Sequence, residues 1–586
     1  MTYYSSAVRV LRESDGIAHT HSGRFTELDA DKLRGGYYTS PDVARWLANW
    51  AIRSTQDVVL EPSCGDGVFV EAAASRFEAL GLCGPKIADH VTAIEILPAE
   101  ADQARARLRK VAGMRAADMV LSGDFFGWWQ RPDRPMFDAV IGNPPFIRYQ
   151  TFPEPHRSRA MGIMGELGLT PNKLTNIWVP FVAATTAALR PGGRLALVLP
   201  AELLQVSYAS QLRSFLMDRF ARIDIVACNE LFFDNAEQEV LLLLADGAVA
   251  QPSAENECRV AMTEAATVAD VVRHSPDEVL AGGAPKTIHH DSEKWLKYFL
   301  SEREITFMRA LRDGSVATSL ETHAHVDVGV VTGKNEFFVL SGEQVEQLGL
   351  SAYTTPLVSR AVQLQGARIK AADWRALAAG GRDRVHLLHL APLDGAKLTG
   401  TLARYVRAGE ESKIHHGYKC SIRKPWYAVP SVWVPDCFLF RQIHDFPRVV
   451  LNQAAATSTD TIHRMTCKSP AASVATNLYT HLTAASAEIE GRSYGGGVLE
   501  LEPTEAERLL VPTKLAPAMP LAECDRLVRA GCLDKVLAEN DRLVLRGGMG
   551  LSQSDCRLLR GIWEKMRDRR KARRRRPRRD RAGSAT

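Results

Sequence analysis

Hydrophobic and polar positions fall into two regimes along the chain. In the first, Val43, Trp46, Leu47 and Trp50 recur at helical spacing, so one face is buried. Ser40 before them is a good N-cap, and Pro41 suits the first helical position. An apolar run then predicts a strand over 57–61, followed by the tight glycine loop Pro62-Ser63-Cys64-Gly65-Asp66-Gly67 and a helix over 68–80. The alternation continues with a strand at 91–95, a helix near 99–111 and a short strand near Met119 that ends at Gly123-Asp124-Phe125-Phe126. A strand over 137–141 leads into Gly142-Asn143-Pro144-Pro145-Phe146. A helix over 173–189, a strand over 194–199, a helix over 203–220 and strands over 223–227 and 240–245 complete the series. Such alternation predicts an α/β domain, a doubly wound and mostly parallel sheet with helices on both faces.

The second regime begins near Gly247. Residues 247–295 are polar with Ala, Gly and Pro punctuation and read as a connector. Residues 296–515 mix short strands and turns, as expected of a mixed α+β domain, and a short helical annex follows. The expected division is an N-terminal arm (1–34), an α/β domain (35–250), a connector (251–295), a mixed domain (296–515), an annex (516–565) and a disordered Arg-rich tail (566–586).

Composition changes this picture in three ways. No run of 18 apolar residues occurs, and the first residues carry charges without an apolar core, so neither a membrane span nor a secretory leader is expected. Ten cysteines are scattered without paired spacing, which fits reduced thiols in a cytoplasm and neither a disulfide framework nor a zinc site. The net charge of +5 is concentrated: Arg567–Arg581 holds eleven Arg and Lys against Asp568 and Asp580, which leaves the rest of the chain at −4. Nucleic-acid contact by the body must then come from local patches.

Candidate chemistry gathers at predicted strand ends. The small residues after Glu61 let backbone approach a ligand closely, although a Gly-x-Gly turn by itself is more often only a strand–helix turn. Glu95 ends the second strand, where a carboxylate can accept two ribose hydroxyls, with Ile96 beside it. Asp124 can accept from an adenine amino group, and Phe125 can cover the ring. No Gly-x-x-x-x-Gly-Lys-Ser/Thr and no basic cluster awaits a pyrophosphate, which favours a nucleoside cofactor without phosphates, S-adenosylmethionine, over NAD or ATP. The two prolines after Asn143 lack N–H groups and hold a rigid extended loop presenting an amide, a carbonyl and a ring together.

The order Tyr38-Thr39-Ser40-Pro41, Glu61 to Phe69, Glu95, Gly123-Asp124-Phe125 and Asn143-Pro144-Pro145-Phe146 resembles the gamma-class (Taq-type) adenine-N6 DNA methyltransferases over residues 35–245. The resemblance implies a class I, Rossmann-like S-adenosylmethionine methyltransferase fold followed by a target recognition domain. It implies that Thr39, Ser63, Gly65 and Gly67 line the methionine part of the cofactor, that Glu95 holds the ribose and Asp124 with Phe125 the adenine, and that Glu61, Cys64 and Ile96 also bind the cofactor. Asn143, Pro144, Pro145 and Phe146 would form the catalytic loop, with Asn143 also next to the cofactor. Phe146 stands where many members have Tyr, so only stacking remains to it. Phe233, or its neighbour Phe232, would stack on the other face of a flipped base; both also fit a core hinge. Loops of this kind also serve methylation of RNA amines and of protein glutamine, which remains the alternative.

Two stretches of the mixed domain suit duplex DNA. Val326–Phe337 leads into Gly333-Lys334-Asn335 and resembles a stretch near the start of the Taq-type recognition domain. His415–Tyr427 interleaves basic and aromatic residues, with Lys419, Arg423, Lys424 and Trp426 as candidate contacts. Its two histidines lack a second ligand pair at zinc spacing, so no metal is expected. No Asp…Glu-x-Lys cluster lies on a strand pattern in the C-terminal half, so a restriction endonuclease is expected as a separate chain.

Overall fold

The computed structural model describes residues 39–172, 175–228, 239–253, 256–286, 293–391, 398–494 and 497–572. The N-terminal arm, Phe232, Phe233 and the Arg-rich tail beyond Ala572 lie outside the described residues. The chain divides into two compact units, one running to Ile305 and the other built from Thr306–Ser493 and Val498–Arg570.

The first unit is one nine-stranded sheet. Its strands are β1 (Val59–Glu61), β2 (Val91–Glu95), β3 (Val120–Ser122), β4 (Phe137–Gly142), β5 (Leu189–Pro200), β6 (Phe220–Cys228), β7 (Val240–Ala248), β8 (Arg259–Ala265) and β9 (Ala284–Lys286). Their order is β3-β2-β1-β4-β5-β7-β6-β8-β9. Strands β3, β2, β1, β4 and β5 are parallel to one another, whereas β7 runs antiparallel between β5 and β6. The central strands β1, β4, β5, β6 and β7 are Val-, Ile-, Leu- and Ala-rich and largely buried on both faces, as a sheet covered by helices requires.

The helices α1 (Pro41–Ala51), α2 (Val68–Ala79) and α3 (Pro98–Ala112) match the sequence pattern closely, α4 (Phe125–Trp129) and α5 (His156–Glu166) are not in that pattern, and α6 (Trp178–Ala187) is shorter than the helix expected over 173–189. Ser40 caps α1 by accepting from the Val43 amide at 3.3 Å. Val43, Trp46, Leu47 and Trp50 point into the core together with Phe69, Phe77, Ala139 and Ile141. The helix expected over 203–220 is instead two short ones, Glu202–Gln205 and Ser210–Met217.

The connector reading of 251–295 is corrected. Residues 259–265 pair parallel with β6, and 284–286 pair with β8, so this stretch extends the sheet. Between them lie the helices Val268–Arg273 and Pro276–Ala281, each closed by a capping box, from Thr267 and Asp270 and from Ser275 and Glu278. Trp46 of α1 donates to the His274 carbonyl at 3.0 Å and fastens this segment down. Its polar composition reflects short helices whose caps and outer faces meet water.

At the amino end of the sheet, Asp57 accepts from the Arg53 amide at 2.8 Å, the Ser54 amide at 3.2 Å and the Arg194 guanidinium at 2.9 Å. Both Asp57 and Arg194 are buried.

The second unit carries a five-stranded sheet, in the spatial order Ala324–Asp327, Ile462–Cys467, Cys437–Phe440, Val449–Gln453 and Arg368–Lys370, and a four-stranded sheet built around Thr354–Val358 and Arg384–Leu388. The annex is not separate from it. Asp525 accepts from the Ala367 amide at 3.0 Å, the Asn540 amide nitrogen donates to the Thr476 carbonyl at 2.9 Å, and His481 contacts Asp541 at 2.6 Å. The tail reading is also corrected at its start. Helix Gln553–Ala572 takes in Arg567–Lys571, and Arg570 is buried on the Glu488 carboxylate at 2.6 Å. A charge run reads as solvated until its distant acid is known.

Arg194→Ala strands a buried Asp57 carboxylate and should cost about 3 kcal/mol. Urea unfolding followed by circular dichroism measures it, and an unchanged midpoint would remove this pair from the fold's support.

Candidate active site

The strand order reverses between β1 and β4, and in such sheets ligands bind outside the carboxyl ends at that switch. A cavity of about 390 Å³ lies there. Its walls come from the loop after β1 (Pro62–Asp66), the end of β2 (Glu95–Leu97), the end of β3 (Gly123–Phe125) and the proline loop after β4 (Asn143, Pro145).

The glycine loop is held from three sides. The Cys64 amide donates to the Ile94 carbonyl at 2.9 Å, and the Gly65 amide donates to the Glu95 carboxylate at 2.9 Å. From α3, Arg107 pairs with Asp66 and donates to the Asp66 carbonyl at 3.1 Å and to Glu71 at 2.9 Å. Ser63, Cys64 and Gly65 line the cavity; Gly67 does not. At φ 90°, Gly67 lies against α3, where a Cβ would stand 2.8 Å from that of Ala104. Its glycine serves helix packing, which corrects its place among the ligand-lining residues.

Glu95 is buried, and its other oxygen accepts from the Leu97 amide at 2.8 Å. The Ile96 amide adds a third backbone bond, which still leaves a carboxylate some acceptor capacity. Burial holds its pKa above the ordinary carboxylate range against these three amides. Glu61 lies fully buried beneath the loop and outside the cavity lining. Its Oε2 accepts from the Ser63 amide at 3.2 Å, whereas Oε1 has no partner. Burial first, then the neighbouring Glu95, pushes its pKa well up.

Asp124 is more heavily engaged than the sequence shows. It caps α4 by accepting from the Phe126 and Gly127 amides at 3.2 and 3.0 Å. From α5, Arg159 donates to it at 2.9 Å, and His156 Nδ1 stands 3.0 Å away. One Asp124 oxygen thus meets Gly127, Arg159 and His156, and the other meets only Phe126. Phe125 stacks on Phe181 of α6 at 5.1 Å. Phe152, His156 and Phe181 all line the cavity, and the sequence pattern singles out none of them. Their signal is weak, because they come from a loop and two helices that meet the strand ends only in three dimensions.

At the proline loop, Pro144 is buried, and Asn143, Pro145 and Phe146 are half-buried. The Asn143 side-chain nitrogen donates to Thr39 Oγ1 at 3.2 Å. Thr39 is buried and lines the cavity, so it touches both the loop and the space beside it. Phe146 packs against the core that α1 and α2 share with the sheet.

In the second unit, the expected DNA-contact residues separate into two kinds. Lys334, Asn335, Lys419 and Lys424 are exposed, with Lys334 paired to Glu336 at 2.7 Å. Arg423 and Trp426 are half-buried and structural. Arg423 donates to the Thr332 and Val331 carbonyls at 2.7 and 2.6 Å, and Trp426 donates to Glu410 at 3.1 Å while packing on Phe337.

Two family models match the chain: "Eco57I restriction-modification methylase" over residues 102–232 and "Type II methyltransferase M.Eco57I, C-terminal domain" over residues 292–545. This chain is a relative of the restriction-modification methylases. Type II methyltransferase M.AccI of Acinetobacter calcoaceticus is 20% identical over 498 residues, covering 82% of this chain and 86% of that protein. Type II methyltransferase M.XamI of Xanthomonas campestris pv. amaranthicola is 23% identical over 514 residues, covering 86% and 90%. The fold is shared with the Type IIL restriction-modification enzyme MmeI, solved in complex with DNA, at a TM-score of 0.53 and 11% identity over 92% of this chain and 80% of that one. The methylase relatives span both units, and no helix among the described residues is long and apolar enough to cross a membrane.

Glu61 carries a sign-definite pH consequence. Its folded pKa is raised, so the folded state binds the proton more tightly than the unfolded chain. The resulting stability is fully present below the ordinary carboxylate pKa and is lost as pH rises through the raised value. Glu61→Gln should flatten that loss, read as melting temperature against pH; a parallel loss in the variant would assign it to another group.

Proposed function

We propose that the protein is a DNA methyltransferase that transfers the methyl group of S-adenosylmethionine to N6 of an adenine swung out of duplex DNA, as the modification component of a restriction-modification system. One observation carries this: the cavity at the strand switch is lined both by acceptors suited to a nucleoside and by Asn143 and Pro145 of the proline loop. The kinship with Type II methyltransferases agrees with it. The restriction endonuclease is expected as a separate protein.

The residues present fit the cofactor. Glu95 has acceptor capacity for the ribose hydroxyls beyond its backbone bonds from Gly65, Ile96 and Leu97. Asp124 Oδ1, with its single amide donor, suits the adenine amino group, beside Phe125. Beneath the end for the methionine part, Glu61 lies buried outside the lining with its Oε1 unmatched among the described residues. Thr39, Ser63, Cys64 and Gly65 line that end, and Ile96 flanks the base. When bound, S-adenosylmethionine supplies a methyl group already activated by its sulfonium.

The exocyclic amine of adenine is a poor nucleophile, because its lone pair is delocalised into the ring. Asn143 acts on this by accepting one amine proton on its side-chain oxygen while the Pro144 carbonyl accepts the other. Both acceptors favour a pyramidal nitrogen and stabilise positive charge as it develops. Thr39 positions the amide: by taking the nitrogen end, it turns the oxygen end the other way. Pro145 keeps the loop stiff, and Phe146 offers a ring face to the base. Phe233 is proposed for the opposite face. Flipping costs a few kcal/mol, which stacking and these hydrogen bonds offset. The surplus proton leaves to water, so no metal and no covalent enzyme intermediate is needed.

Incubation with labelled S-adenosylmethionine and duplex DNA should yield N6-methyladenine; label confined to RNA or protein would overturn the DNA reading. Asn143→Ala should lower turnover on the order of 10²–10³-fold with cofactor affinity kept. Thr39→Val should lower kcat, and Thr39→Ser should restore it. A change confined to the cofactor KM would make Thr39 a cofactor contact alone.

A further inference from the structure

One corner of the second unit holds large apolar side chains in the open. Tyr418 is 74% exposed, Ile422 is 62% exposed, and Val331 in the adjoining loop is 38% exposed. Ile422 caps the turn Tyr418–Ser421 with helical backbone angles, four residues after Tyr418, so the two share a face. The opposite side of that turn is firmly seated. Cys420 is buried in a hydrophobic cluster with Val330, Phe337, Phe338 and Val429. Arg423 ties the turn to the loop through the Thr332 and Val331 carbonyls, and a Cβ on Gly333 would stand 2.7 Å from that of Lys419. Thr332 in turn donates to the Asn335 side-chain oxygen at 2.5 Å. Two stretches more than 80 residues apart in sequence thereby form one rigid corner.

Cations surround the apolar pair. Lys334, Lys419 and Lys424 are exposed, and Lys419 Nζ lies 5.8 Å from the Tyr418 ring. Residues 400–427 hold six Arg and Lys against Glu410 and Glu411, in a chain that is net acidic apart from its Arg-rich end. Exposed apolar side chains ringed by charge mark an interaction site. The occupant that fits is an anion offering apolar surface inside its charged rim, and a DNA groove does so with base edges and thymine methyl groups between rows of phosphate. A second copy of this chain would set cation against cation.

We propose that Tyr418 and Ile422 are the base-contacting pair of the DNA-reading face, that Lys334, Lys419 and Lys424 hold the flanking phosphates, and that Asn335, Arg423 and Trp426 are their scaffold. The inference rests on duplex DNA being the substrate. Sequencing DNA modified by the wild-type enzyme first identifies the target site. Binding of full-length protein to that duplex and to one of unrelated sequence then separates the roles. The Tyr418→Ala/Ile422→Ala double variant should bind the target on the order of tenfold more weakly and the unrelated duplex unchanged. The Lys419→Gln/Lys424→Gln variant should weaken both alike and reduce the salt dependence by roughly two phosphate contacts. Ile422→Ser alone serves if the double variant fails to fold, and unchanged cofactor affinity certifies each variant. Apolar variants that discriminate like wild type would overturn this assignment and leave the methylation reading intact. A wild-type enzyme that modifies no duplex would overturn both. Self-association lost in the double variant, or capture of an acidic protein in place of DNA, would give the face another partner and also overturn it.

Discussion

Parallel strands leave all their carboxyl ends on one edge, and the first unit depends on that constraint. Where the order reverses between β1 and β4, the connections leave in opposite directions and cannot fill the space between them. The crevice is therefore a product of topology, and the side chains only furnish it. The Gly65–Glu95 hydrogen bond then joins the first loop to the second strand and fixes the spacing of loop and acid. The Asp57–Arg194 pair does the corresponding work at the opposite edge.

The first unit was legible because its signals are local. Glycines and prolines punctuate strand ends, and Glu95, Asp124 and Asn143 stand beside them, so position in sequence nearly gives position in space. What stayed hidden depends on partners far along the chain. Strand β8 follows a polar stretch without a strand's punctuation, and its pairing with β6 and β9 shows only in three dimensions. Phe152, His156 and Phe181 close the cavity from elements whose pattern says only that they are buried or amphipathic. The burden on Asp124 could not be read either, since Arg159 reaches it from 35 residues away.

The second unit shows the limit of compositional reading most clearly. A stretch mixing Arg, Lys, Trp and Tyr was recognisable as unusual, but not which side of it faces water. A guanidinium can satisfy backbone carbonyls as readily as phosphates, and Arg423 does the former. Arg464, fully buried on the Val328 and Ser431 carbonyls, and Arg570, on Glu488, follow the same logic. In this chain arginine is as much a structural cross-link as a surface charge.

Gly142, the residue before the proline loop, has no room for a side chain, since a Cβ there would lie 2.5 Å from Glu61 Oε1. The acid under one half of the crevice and the residue leading into the other half therefore occupy a single shared volume. Glycine is held at 142 twice over: a side chain there would meet the acid, and it would also sit on a backbone at φ 154° that L residues rarely adopt. Shortening Glu61 would remove only the first obstacle, so the position is fixed by its own backbone as well as by a residue 81 places earlier in the chain.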